Sequence, residues 1–284
     1  MEIAGQQVSR HGVRIVAIWA VLTAIAVPLI VLVLGPHLPP GKMSAEASDQ
    51  TSANTVLTAV VAPIILIVAV NIVYSLVVFR ARGDAIEDGA PIHGHAPTVL
   101  AWVLLTSVIV LALAGWGSYT LVQSARGAGG GQGPSPADLP KGDRTALPIQ
   151  VIGQQWAWTF RFPTYNAFES RQLELPVGRV IAFHVTSLDV THSFWAYELG
   201  VKADAVPGVD NVAFVTPRKL GSFNIRCAEL CGLWHGHMFQ TGQVVSPPQF
   251  ASWIAQQRRA EAANLKYLPP YARDYFPEPL RRAG

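Results

Sequence analysis

Long apolar runs with short polar breaks fill the first part of the chain. Ile15–Leu34 and Val56–Phe79 are predominantly apolar, and Val99–Leu113 continues to about Leu121, interrupted by Thr106, Ser107, Gly115, Gly117 and Ser118. The first two exceed the roughly 18 apolar residues that mark a membrane-spanning helix, and the third carries interruptions that such a helix tolerates. The pattern predicts three transmembrane helices. After about Leu147 the pattern changes to short segments: Ile149–Phe162, Arg171–Leu175, Val180–Thr186, Asn211–Thr216, Ser222–Arg226 and Gln240–Val245. Turn signals such as Pro176-Val-Gly178 and Pro207-Gly208 separate them, which predicts an all-β sandwich or barrel. A helix is expected from Pro247 to about Leu265, opened by proline and carrying Phe250 and Ile254 on one side.

The breaks between runs set the organisation. Residues 1–53 are read as an N-terminal anchor helix, or a signal peptide, followed by an outer loop. Residues 54–121 form a helical hairpin. The Gly/Pro-rich stretch 122–146 is a flexible linker by composition. A β domain spans 147–246, and 247–284 hold the C-terminal helix and tail. The first run has a basic flank, but its apolar core exceeds that of an ordinary signal peptide, and the Ala45-Glu-Ala47 site comes late after it.

Composition adds two constraints. Only 14% of the residues are charged, too few for an ordinary soluble domain. Arg10 and Arg14 precede the first run, and Arg80 and Arg82 follow the second. The positive-inside rule puts both clusters on the cytoplasmic side. The expected arrangement is therefore multi-pass, in a bacterial-type plasma membrane, with everything after Leu121 on the outer face. No nucleic-acid partner is expected.

The candidate chemistry lies in Cys227-Ala-Glu229-Leu-Cys231-Gly-Leu-Trp-His235-Gly-His-Met238, with His192 upstream in Asp189-Val-Thr-His192-Ser-Phe. Cys227 and Cys231 are the only cysteines of the chain. Thiolates, imidazoles and a thioether are the soft and borderline donors that copper prefers. Two thiols, two imidazoles and one thioether exceed the needs of a single blue-copper ion. They suit two coppers bridged by both thiolates, with Met238 and the backbone carbonyl of Glu229 as weak axial donors. A disulfide in an oxidising compartment, and a structural zinc, are the competing readings, since the spacing alone admits both. Met238 weighs against zinc. His237 is read as a polar neighbour and His184 as a structural residue within a strand.

These residues resemble subunit II of the haem–copper cytochrome c oxidases, with its dinuclear copper A centre on a cupredoxin domain. The likeness rests on Cys227-x-Glu229-x-Cys231-Gly-x-x-His235-x-x-Met238, on Asp189-Val-x-His192-Ser-Phe, on Lys202-x-Asp204-x-x-Pro207-Gly208 and on Gln155-Trp156-x-Trp158. The resemblance implies a transmembrane α-helical part followed by an all-β cupredoxin-like sandwich. It implies a subunit that takes electrons from cytochrome c at Trp156 and passes them through two copper ions to haem in catalytic subunit I. That partner would reduce oxygen and pump protons. Other oxidase subunits and membrane lipid are further expected partners, and no haem is expected in this chain. The implied copper ligands are His192, Cys227, Glu229, Cys231, His235 and Met238. Glu229 and Asp204 are implied to hold magnesium at the boundary with the catalytic subunit, and Asp189 and Glu198 to edge the cytochrome docking face. Alternatives are the copper A subunit of a nitric oxide reductase and an anchored copper-binding electron carrier. The chain departs from the family at Ala157, where an aromatic is usual. It departs again at Val99, where many members carry a glutamate that feeds protons to the catalytic subunit.

Overall fold

The computed structural model describes residues 2–80, 94–124 and 146–262. The inner loop, most of the linker and the C-terminal tail expected from the sequence lie outside the described residues. The chain divides into two compact units. One contains residues 1–37 and 53–122, the other residues 38–52 and 123–284.

In the first unit, α1 (Glu2–Leu29) runs into a π turn at Ile30–Leu34 and a short 3-10 turn at Gly35–His37. Helix α2 spans Ala45–Val78 and α3 spans Ala96–Ser124. Among the described residues, three segments are long and apolar enough to cross a membrane: Arg10–His37, Ala45–Val78 and Ala96–Thr120. Their large apolar side chains are exposed, among them Leu32, Leu76 and Leu111, as befits helices whose solvent is lipid. The protein is a membrane protein. Polar contacts join α1 to α2: the Trp19 indole donates to the Pro63 carbonyl at 2.8 Å, and His11 Nδ1 meets the Tyr74 hydroxyl at 2.7 Å. Such bonds help hold helices together where lipid removes the hydrophobic drive between them.

The second unit is a sandwich of two five-stranded sheets. The first contains β1 (Leu147–Gln154), β2 (Ala157–Phe162), β3 (Phe168–Ser170), β5 (Ile181–Ser187) and β8 (Asn211–Val215), in the order β3-β2-β1-β5-β8. The second contains β4 (Leu173–Pro176), β6 (His192–Ala196), β7 (Val201–Ala205), β9 (Gly221–Cys227) and β10 (Phe239–Val245), in the order β4-β10-β9-β6-β7. Strands β1 and β5 pair in parallel, as do β4 and β10, and the other pairings are antiparallel. Between the sheets lie Trp158, Phe160, Phe183, Phe194 and Phe223, all fully buried. Helix α4 (Pro247–Glu261) opens with a capping box between Ser246 and Gln249. Its Trp253 packs edge-on against Phe162 and Phe168.

Three elements differ from the sequence pattern. The segment expected as one strand at Ile149–Phe162 is a hairpin, because the chain turns at Gln155 and Trp156. No glycine, proline or asparagine marks that turn, so the apolar run reads as continuous. Strands β3, β6 and β7 were not expected, and all three are short. The third difference is the segment Leu38–Ser52. Its sequence reads as a polar loop, yet Met43 sits in the sandwich core, and the Met43 carbonyl accepts from the Arg218 amide at 2.8 Å and the Lys219 amide at 3.2 Å. Ser44 bridges to Pro217 and its hydroxyl donates to the Leu199 carbonyl at 2.7 Å. The Glu46 carboxylate accepts from the Thr216 amide at 3.1 Å. Ala47 lies so close to Gly200 that a Cβ there would meet its backbone at 2.8 Å. These residues form a strap across the β sandwich.

Candidate metal centre

The sandwich delivers the candidate donors from two directions. Strand β9 ends at Cys227, and β10 starts just after Met238, so the residues between them form the loop at that end of the second sheet. Antiparallel pairing fixes its base, where the Cys227 amide donates to the Met238 carbonyl at 3.1 Å. Strand β6, paired to β9, starts with His192. The Ala228 amide donates to the Ser193 carbonyl at 2.9 Å and ties the loop to that strand.

The side chains converge. Cys227 Sγ and Cys231 Sγ lie 3.7 Å apart, and both cysteines are free. A disulfide needs about 2.05 Å between sulfurs, whereas metal–thiolate bonds of about 2.3 Å span 3.7 Å readily. His192 Nδ1 is 3.9 Å from Cys227 Sγ, and His235 Nδ1 is 3.5 Å from Cys231 Sγ. The carbonyl oxygen of Glu229 is 3.2 Å from Cys227 Sγ, and Met238 Sδ is 3.9 Å from Cys231 Sγ. Each sulfur thus has an imidazole and a weak donor beside it. His192, Cys227 and Cys231 are buried, and their donor atoms all fall within 4.8 Å of one another. The donor set and its spacing fit a thiophilic metal such as copper.

Protonation is set by the surroundings. His192 Nε2 lies 2.9 Å from Asp189 Oδ1. An ionised carboxylate only accepts, so the imidazole proton sits on Nε2 and the Nδ1 lone pair faces the sulfurs. Burial pushes the Asp189 carboxyl up, but hydrogen bonds from the Gln155 amide, the His192 ring and the Val190 amide outweigh it and hold the group below its ordinary value. Burial, with the Cys227 thiol beside it, pushes the Cys231 thiol up to about 12. A metal must displace that proton to bind.

Trp156 is half-buried, with its indole N–H donating to the Cys231 carbonyl at 3.1 Å. The Gln155 side-chain amide donates to the same oxygen at 2.9 Å. Trp158 is fully buried instead, edge-on to His192 and Phe194. His237 is exposed and rests against Trp234. His184, on β5, pairs with Asp210 at 2.9 Å.

Other candidates lie apart. The Glu229 side chain is exposed, and Asp204 accepts from the Ser193 hydroxyl at 2.7 Å and from Lys202 at 3.3 Å. Neither belongs to the converging donor group found among the described residues. Glu198 accepts from the Asn224 backbone and side chain, each at 2.6 Å. The acidic residues around the sandwich are therefore largely engaged within it, since Glu169 is likewise paired with Arg161. Sequence patterning missed Gly153. A Cβ there would stand 3.0 Å from the His192 ring and 3.1 Å from Trp158, so any side chain at this position would press on the imidazole and the indole behind it.

A two-sheet sandwich, with a soft-donor site at the end of its second sheet, thus follows helices of membrane length. Residues 167–245 match the family "Cytochrome C oxidase subunit II, periplasmic domain". Cytochrome c oxidase subunit 2 of Thermostichus vulcanus is 27% identical, over 88% of this chain and 88% of that protein. The Synechocystis protein of the same name is 26% identical, over 84% of this chain and 85% of its own length. The solved periplasmic domain of subunit II (CoxB) of Bradyrhizobium japonicum is 34% identical, covering 43% of this chain and 97% of that one, with a TM-score of 0.40. Over most of its length the chain is thus similar to cytochrome c oxidase subunit 2 proteins, which are components of an oxidoreductase complex.

Proposed function

We propose that this chain is the subunit through which electrons enter a terminal oxidase. It accepts them from cytochrome c on the outer face of the membrane and passes them to haem in catalytic subunit I, which reduces oxygen and pumps protons. His192, Cys227, the Glu229 carbonyl, Cys231, His235 and Met238 would hold two copper ions. When bound, the copper pair supplies a one-electron redox centre. Magnesium at the boundary with subunit I, through the Glu229 carboxylate and Asp204, belongs to the same reading, as do lipid and other oxidase subunits as partners.

The observation that carries the proposal is the pair of free thiols 3.7 Å apart, each beside its own imidazole and its own weak donor. One tetrahedral zinc would use four strong donors and leave the thioether and the carbonyl without a role. The chain's own residues then divide the work. The two thiols, on the loop between β9 and β10, would hold the metals, with His192 of β6 and His235 of the loop as the imidazole donors. The Trp156 indole reaches from the surface to the carbonyl of a ligating cysteine, a short path from the donor to the site. Trp158 packs the core behind His192.

Trp156→Phe is expected to slow reduction by cytochrome c about tenfold or more with copper content unchanged. Trp158→Phe is expected to affect stability instead. Stopped-flow reduction of the intact oxidase checks this. Slow reduction in Trp158→Phe with normal reduction in Trp156→Phe refutes the assignment.

A further inference from the structure

One carboxylate links the two halves of the site. Asp189 Oδ2 accepts from the Gln155 backbone amide at 2.7 Å, at the start of the turn that carries Trp156. Its Oδ1 accepts from His192 Nε2 at 2.9 Å and from the Val190 amide at 2.7 Å. Gln155 and Trp156 in turn hold the Cys231 carbonyl, and His192 Nδ1 faces Cys227. The contacts close a ring: Cys231, the Gln155–Trp156 turn, Asp189, His192, Cys227. The Asp189 side chain keeps 33% of its surface exposed, yet both of its oxygens accept from groups of the site.

We infer that Asp189 is a positioning residue, which fixes the Trp156 turn and the His192 imidazole as one unit and sets the reduction potential of the metals that His192 holds. The physical basis is the acceptor on Nε2. A carboxylate there fixes the tautomer and makes the imidazole a stronger donor, which favours the more highly charged oxidised metal. Removing the negative charge reverses that preference. The Ser187 hydroxyl stands aside from this pair, since it gives its one proton to the Val190 carbonyl at 2.5 Å.

The inference rests on the copper reading proposed above, and one experiment separates the two. The intact oxidase is prepared with wild-type chain, Asp189→Asn, Asp189→Ser and Asp189→Glu, and copper content and the midpoint potential of the copper absorption are measured with small-molecule mediators. Wild type without bound copper overturns the functional reading itself. With copper bound, Asp189→Asn is expected to favour reduction about tenfold, 59 mV for one electron, at unchanged copper content. Asp189→Ser also removes the charge and carries the test if Asp189→Asn fails to accumulate. Asp189→Glu keeps the charge and is expected to hold the potential nearer to wild type. An unchanged potential in Asp189→Asn, with only the KM for cytochrome c raised, makes Asp189 a docking charge and overturns the inference. An equal shift in Asp189→Glu and Asp189→Asn overturns it too.

Discussion

Ser44→Ala tests whether the strap is part of the sandwich. The Ser44 hydroxyl has two partners: it donates to the Leu199 carbonyl at 2.7 Å and accepts from the Ala47 amide at 2.9 Å. The second bond caps the N-terminus of α2, which begins at Ala45. Only 1% of Ser44 is exposed, so water does not replace the hydroxyl. Losing a cap costs about 0.5–2 kcal/mol, and leaving a buried carbonyl unpaired about 1–3 kcal/mol. The two overlap in one side chain, which puts the combined loss at about 2 kcal/mol. For a unit of this size that lowers the unfolding midpoint by about 4–8 °C. The assay is thermal unfolding of the detergent-solubilised chain, followed by fluorescence of the buried tryptophans. Ser52→Ala is the control, because that hydroxyl is exposed and bonds only within α2. A change below about 0.5 kcal/mol in Ser44→Ala, the range of ordinary surface substitutions, refutes the strap's role.

Two further predictions concern the site. Gly153→Ala places a Cβ against the His192 ring at 3.0 Å and is expected to weaken copper retention about tenfold, read by dialysis against a chelator; retention equal to wild type contradicts the close-approach argument. Because the Cys231 thiol is raised to about 12, it is protonated throughout the neutral range and gives up its proton when metal binds. Copper affinity is therefore expected to rise with pH, about tenfold per unit for each proton released, between pH 6 and 8. Competition with a colorimetric chelator measures it, and an affinity independent of pH refutes the assignment of Cys231 as a ligand.

The donor types were legible in the sequence because four of them crowd into Cys227–Met238, and because copper chemistry depends on side-chain identity more than on context. Membrane helices were legible for a similar reason: lipid demands apolar residues on every face. The supporting residues were harder to see. Asp189 reads as an ordinary surface charge until β5 and β6 bring it between Gln155 and His192. Gly153 has no local signal, since its role is set by a ring carried on another sheet. The strap was hidden because Met43 and Ser44 lie in a Pro- and Gly-containing stretch, and their partners at Leu199 and Pro217–Lys219 are far away in sequence. The hairpin at Gln155–Trp156 was missed because its turn lacks the residues that usually mark one.

The central claim is that two coppers share the two thiolates. The direct measurement is metal content together with the electron paramagnetic resonance spectrum of the intact chain, since the strap makes residues 38–52 part of the β unit. The account predicts two coppers per chain and, when oxidised, one unpaired electron spread equally over both. Cys227→Ser and Cys231→Ser should each abolish that signal. One copper per chain with a single-site spectrum, or tightly held zinc in its place, contradicts the account.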